Sequence, residues 1–129
     1  MLISLDMTGE EPLYLQLRNA IVLAIGSKSL QEGEGLPSVR QLAEDLGINA
    51  MTVNKAYTLL KDQGFIEIDR RQGAKVMVTR EAYPHFPERW QEQFTLLIAE
   101  GHARGLGREE LLEMYETLCN NLFQKGGTD

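Results

Sequence analysis

The segment from Ser38 to Gly64, "SVRQLAEDLGINAMTVNKAYTLLKDQG", restricts the fold more than any other part of the chain, because it carries two helix starts with a left-handed stop between them. Ser38 predicts an N-cap, and Gln41 three residues on completes a capping box by reaching back to the Ser38 amide. The apolar stripe Val39, Leu42, Ala43 and Leu46 follows, and Gly47 is the expected left-handed terminator. Asn49 then caps a second helix that runs to Gly64. Its buried stripe is Val53, Ala56, Tyr57 and Leu60, which leaves Met51, Asn54, Lys55 and Thr58 on the exposed side.

The neighbouring segments settle what this pair belongs to. Upstream, "PLYLQLRNAIVLAIGS" places Tyr14, Leu17, Ile21, Ala24 and Ile25 at helical spacing, with Pro12 suited to a first turn. "KSLQEGEGLP" reads as a loop. Downstream of Gly64 the period changes to two in "FIEID" and again in "AKVMVT", with the basic turn "RRQG" between them, so a small hairpin is expected. Three helices and a hairpin in this order make a winged helix-turn-helix. The fold expected is therefore mainly α with a small β-hairpin, in a first domain spanning 1–80.

From Glu81 "EAYPHFPERW" reads as a linker, and residues 81–129 as a C-terminal helical region. One helix carries Trp90, Phe94, Leu97 and Ile98 on one side. A second, after "RGLG", spreads Leu111, Leu112, Met114, Tyr115, Leu118, Cys119 and Leu122 over a broad face. Two helices cannot bury so much apolar surface on each other, so they must pack on the first domain, on a second copy of the chain, or on both. Trp90, Phe94, Leu97, Leu111, Tyr115, Leu118 and Leu122 are the expected dimer interface.

The net charge of −6 argues against a polyanionic partner until it is divided along the chain. Residues 1–35, 36–80 and 81–129 carry −3, +2 and −5, so the middle third alone leans basic. Local potential, not the total, governs binding of a polyanion. No apolar run approaches the ~20 residues of a membrane-spanning helix, and the opening "MLISLDMTGEE" turns acidic before a signal sequence could form. A cytoplasmic location without membrane association is expected. Cys119 is the single cysteine, which excludes an intrachain disulfide and reads as a small apolar residue on a helix face.

A helix-turn-helix that reads DNA needs cations and donors on phosphates and short side chains at base edges. Ser38 and Arg40, in the first turn of their helix, suit one phosphate, or Arg40 a guanine. Thr52 offers a hydroxyl to the backbone. Asn54 suits adenine, Ala50 and Met51 a thymine methyl, and Lys55 a guanine or the backbone. Arg70, Arg71 and Gln72 suit the minor groove, with Gly73 permitting close approach. Double-stranded DNA is the expected partner; a winged helix that binds protein without specific DNA contact is the alternative. His85 and His102 have no partner at metal or triad spacing, and "GEGLPS" is no phosphate loop, so neither catalysis, metal nor cofactor is expected. No motif specifies a small-molecule effector.

"LPSVRQLAEDLGINAMTVNKAYTLLKDQGFI" resembles the DNA-binding domain of the GntR family of bacterial transcription regulators, and "PLYLQL" with "TVNKAY" is similar to its YtrA-type branch. The resemblance implies DNA contact by Arg40, by the recognition-helix start from Asn49 to Asn54, and by the wing tip from Arg70 to Gly73. It also implies a homodimer held by a two-helix tail, most often acting as a repressor. Ala50 and Asn54 stand where relatives frequently carry arginine. A lightly charged recognition helix then leaves Arg70 and Arg71 to supply more of the affinity.

Overall fold

The computed structural model describes residues 3–77 and 86–126, which divide into two compact units, the second of which comprises the described residues 86–123. In the first, α1 (Leu13–Gly26) starts after Pro12, whose carbonyl accepts from the Leu15 and Gln16 amides. Its one fully buried row is Leu17 and Ile21. The Gln16 side chain donates to the Asp6 and Glu11 carbonyls and accepts from the Asp6 amide, tying down a leading segment whose Ile3 and Leu5 pack on the core.

α2 (Val39–Leu46) and α3 (Ala50–Asp62) begin at the expected caps. Ser38 Oγ accepts from the Gln41 amide at 3.0 Å, and Asn49 Oδ1 from the Met51 amide at 2.7 Å. Only half of the expected capping box forms, because Gln41 Nε2 donates forward to Asp45 Oδ1, one helical turn on. Gly47 adopts φ 69°, ψ 36°, a conformation that costs a side-chain-bearing residue energy, and this sets the sharp exit from α2. α3 packs against both α1 and α2 and buries the predicted Val53, Ala56, Tyr57 and Leu60.

β1 (Ile66–Asp69) and β2 (Gly73–Val76) pair antiparallel in the register Ile66↔Val76 to Asp69↔Gly73. Burial fades toward the tip: Ile66 and Val76 are buried, whereas Ile68 is 47% exposed. The stretch read as a loop contributes more than connection. Gly33 and Leu36 donate to the Val76 and Ala74 carbonyls at 2.8 Å, and Val76 donates to Glu34 at 2.9 Å, so 33–36 lines the outer edge of β2. Glycine and proline density hides this edge from pattern reading, and the backbone pairing covers an otherwise open strand. Leu30, just before it, is buried.

The second unit holds α4 (Glu88–Ala103) and most of α5 (Arg108–Gly126). The Leu106 amide bonds the Gly101 carbonyl at 3.0 Å, and Gly105 takes φ 98°. A Cβ on Gly101 would lie 3.1 Å from a Leu111 methyl, so this glycine lets the start of α5 approach α4. No described residue of either helix is fully buried within the chain. Phe86, Trp90 and Phe94 stack edge to face at 4.8 and 5.3 Å and, with Gln91, Thr95 and Ile98, line a groove of about 380 Å³. Cys119 is a half-buried free thiol. Among the described residues no helix is long and apolar enough to cross a membrane.

Candidate nucleic-acid interface

The first turn of α2 presents Ser38 and Arg40 to solvent. As a cap, Ser38 uses one lone pair of its hydroxyl, and the O–H remains a donor. The first amides of any helix lack intrahelical acceptors; here the Gln41 amide takes the Ser38 hydroxyl oxygen as its acceptor. Among the described residues no ion pair neutralises Arg40. An exposed hydroxyl and an exposed guanidinium thus stand two residues apart at the start of α2.

A side chain that the pattern reading placed only in the core orders this corner. Tyr57, 2% exposed, donates its hydroxyl to the Pro37 carbonyl at 2.7 Å, pinning the residue before Ser38 to the middle of α3. Helical spacing marked its ring as buried; its polar end finds a partner 20 residues away, which no local pattern reports. Burial pushes the phenol up from the usual 10.0 to about 12. Between those values the unfolded chain loses the Tyr57 proton before the folded one does, so the stability contributed by this group is full below pH 10 and drains away as pH rises to 12. Tyr57→Phe is expected to cost ~1 kcal/mol at neutral pH and to flatten this part of the alkaline limb in denaturation titrations. An unchanged alkaline limb would show that the phenol plays no such part.

Along α3 the exposed side carries Ala50, Met51 (78% exposed), Asn54, Lys55 and Thr58, and Thr52 is half-buried. Asn49 holds Met51's amide with its side-chain oxygen, so it acts first as a cap, and its amide nitrogen is left over to donate outside. Lys55 leans back toward α1, with Nζ 4.0 Å from the centre of the Tyr14 ring.

The wing tip is built by Asp69, whose Oδ1 accepts from the Arg71 amide at 2.7 Å and the Gln72 amide at 3.4 Å, while Gly73 closes the turn at φ 80°. An aspartate bonding its own downstream amides is a frequent turn device, and "DRRQG" carried that signal. Glu67 and Lys75, opposite each other in the register, form an ion pair at 3.1 Å. That pairing spends the Lys75 charge locally, whereas Arg70 and Arg71 are exposed and without an ion pair among the described residues.

Of the two histidines, His85 lies outside the described residues. His102 is exposed, with Nδ1 2.8 Å from the Leu106 carbonyl in the α4–α5 turn. Among the described residues no group of three acidic, histidine or cysteine side chains could hold a metal.

Residues 13–76 match the model of bacterial regulatory proteins of the gntR family. The HTH-type transcriptional repressor YtrA of Bacillus subtilis (strain 168) is 30% identical over 130 residues, covering 98% of this chain and 97% of that protein. The solved structure of a transcriptional antiterminator from Listeria monocytogenes EGD-e superposes with a TM-score of 0.81 at 25% identity, covering 100% of this chain and 96% of the other. YtrA from Sulfolobus acidocaldarius, a GntR-family transcription factor, does so with a TM-score of 0.65 at 33% identity, over 78% of this chain and 97% of its own. With such likeness extending through the winged unit and the helices behind it, the chain belongs to the YtrA-type branch of the GntR family and is a DNA-binding transcription regulator, not an enzyme.

Proposed function

We propose that the protein is a cytoplasmic repressor that binds a roughly palindromic operator as a homodimer, α3 of each protomer lying in the major groove and each wing in the minor groove beside it. The observation that carries this reading is the α3 face, where Met51, Asn54 and Lys55 are exposed while the opposite stripe is buried in the core. Ser38, Arg40 and Thr52 position the helix on phosphates. Ala50, Met51 and Asn54 meet base edges, and Arg70, Arg71 and Gln72 enter the minor groove over Gly73. The repressor sense follows the Bacillus subtilis relative. Two-fold symmetry places the half-sites one or two turns apart, each ~10 bp.

Dimerisation is supported by apolar side chains that one chain leaves in water. Trp90, Phe94, Leu97, Tyr115 and Leu118 are 42 to 65% exposed. Leu111 and Leu122 are half-buried, and Leu111 spends part of its surface against Gly101.

Selection of bound duplexes from a random pool tests the reading. Arg40→Ala should weaken binding of the selected duplex by ~1–3 kcal/mol with its base profile retained, and Asn54→Ala should relax preference chiefly at one position. A profile left unchanged by Asn54→Ala would refute its reading role, and undiminished binding by Arg40→Ala its phosphate contact.

A further inference from the structure

Lys55 is the one cation on the exposed side of α3 before its last turn, and its ammonium rests on an aromatic ring instead of beside a carboxylate. The difference matters chemically. A carboxylate would restrain the lysine by neutralising it, whereas a ring attracts the ammonium through its quadrupole and leaves the charge and the N–H donors available. Arg18, the other cation over a ring among the described residues, stands in contrast: it lies 5.4 Å from the centre of Phe65, but its Nε and Nη1 also donate to Gln63 and Asn19, which tie it to its neighbours. Arg18 is therefore a packing element, and Lys55 is not.

Tyr14 is fitted for the restraining role. It sits in the first turn of α1, half-buried with its body against the core, so the ring is itself held in place. The 4.0 Å separation draws the ammonium toward α1, off the line of Met51 and Asn54. A lysine held there loses less side-chain freedom on binding than one that waves in solvent.

We infer that Tyr14 is a positioning residue that holds Lys55 as a backbone-phosphate anchor at the α1 edge of the recognition helix, and that Lys55 reads no base. This deepens the expectation that Lys55 reaches a guanine or the backbone by choosing the backbone, and it rests on α3 facing the groove.

The test is a double-mutant cycle on full-length protein, with two probes: a duplex enriched by the protein from a random pool and a scrambled duplex of equal length. Lys55→Gln is expected to weaken both probes alike, to reduce the slope of log K against log salt by about one, and to leave the selected base profile intact. Tyr14→Leu is expected to weaken binding by ~2- to 5-fold in the presence of Lys55 and to have no further effect in the Lys55→Gln background. Tyr14→Phe, which keeps the ring, restores the affinity. A base profile altered at one position by Lys55→Gln, or a Tyr14→Leu loss that persists without Lys55, would overturn the inference. Arg40→Ala separates the two levels: if it weakens binding and Lys55→Gln does not, the anchor fails while the α3 face stands; if neither weakens binding, the docking face itself is wrong.

Discussion

Leu118→Glu is expected to leave the chain monomeric in sedimentation and to lower its affinity for a duplex with two half-sites by ~100-fold or more. Leu118 is 59% exposed on α5, near Tyr115 at 60%, and on α4 Leu97 stands at 65%. In a two-fold interface every such residue is buried twice, once from each protomer, so covering the exposed part of each leucine contributes ~2–4 kcal/mol per dimer. A carboxylate in its place must be desolvated twice and meets its own symmetry mate's surroundings. Loss of the dimer makes the second half-site a separate encounter and removes the avidity of linked sites. Folding of the winged unit is not at stake, because its core is built from its own helices and hairpin; circular dichroism of the variant should keep the helical signal of that unit. Glu113→Gln on the same helix is a control that leaves the dimer intact. A Leu118→Glu dimer would place the interface elsewhere, and a monomer with full affinity would refute two-half-site binding.

The parts of this molecule legible in its sequence are those whose physics is local. Ser38, Asn49 and Gly47 declare themselves because a cap or a left-handed stop is decided within four residues, and the α3 stripe because helical period and burial agree. The wing turn was legible for the same reason. Illegible were the contacts that reach across the fold: the 33–36 edge on β2, the Tyr57 hydroxyl on Pro37, and the Lys55 ammonium on Tyr14. Each joins elements through a single group whose partner has no fixed offset. Gln41 shows a milder failure, since two partners one turn apart competed for its amide and the pattern named only the nearer. The candidate DNA face was readable largely because it is the complement of a buried stripe; that the Lys55 ammonium rests on Tyr14 was not.

Leu60→Ala carries the largest expected effect on stability. Leu60 is 0% exposed on the helix that packs against α1, α2 and β1, and its carbonyl accepts from Phe65 at the turn into the hairpin. Truncation there removes apolar atoms from a site whose walls belong to several elements and cannot all collapse inward, so a cost of ~3–4 kcal/mol is expected. Against the ~5–15 kcal/mol of a typical domain, that fraction is large enough to leave the winged unit partly unfolded on mild warming. Urea denaturation checks it: the midpoint should fall with the slope unchanged, since the surface exposed on unfolding is nearly the same. Thr58→Ala, two residues away on the exposed side, should stay within ~0.5 kcal/mol of the parent. The pair also separates stability from recognition. At a temperature where the Leu60→Ala protein is still folded, its selected base profile should match the parent's, because the deleted atoms face the core and the α3 surface proposed to meet DNA faces away. A Leu60→Ala midpoint like that of Thr58→Ala would mean that the unit is not held together at this junction, and a changed base profile would mean that α3 does not keep its orientation without Leu60.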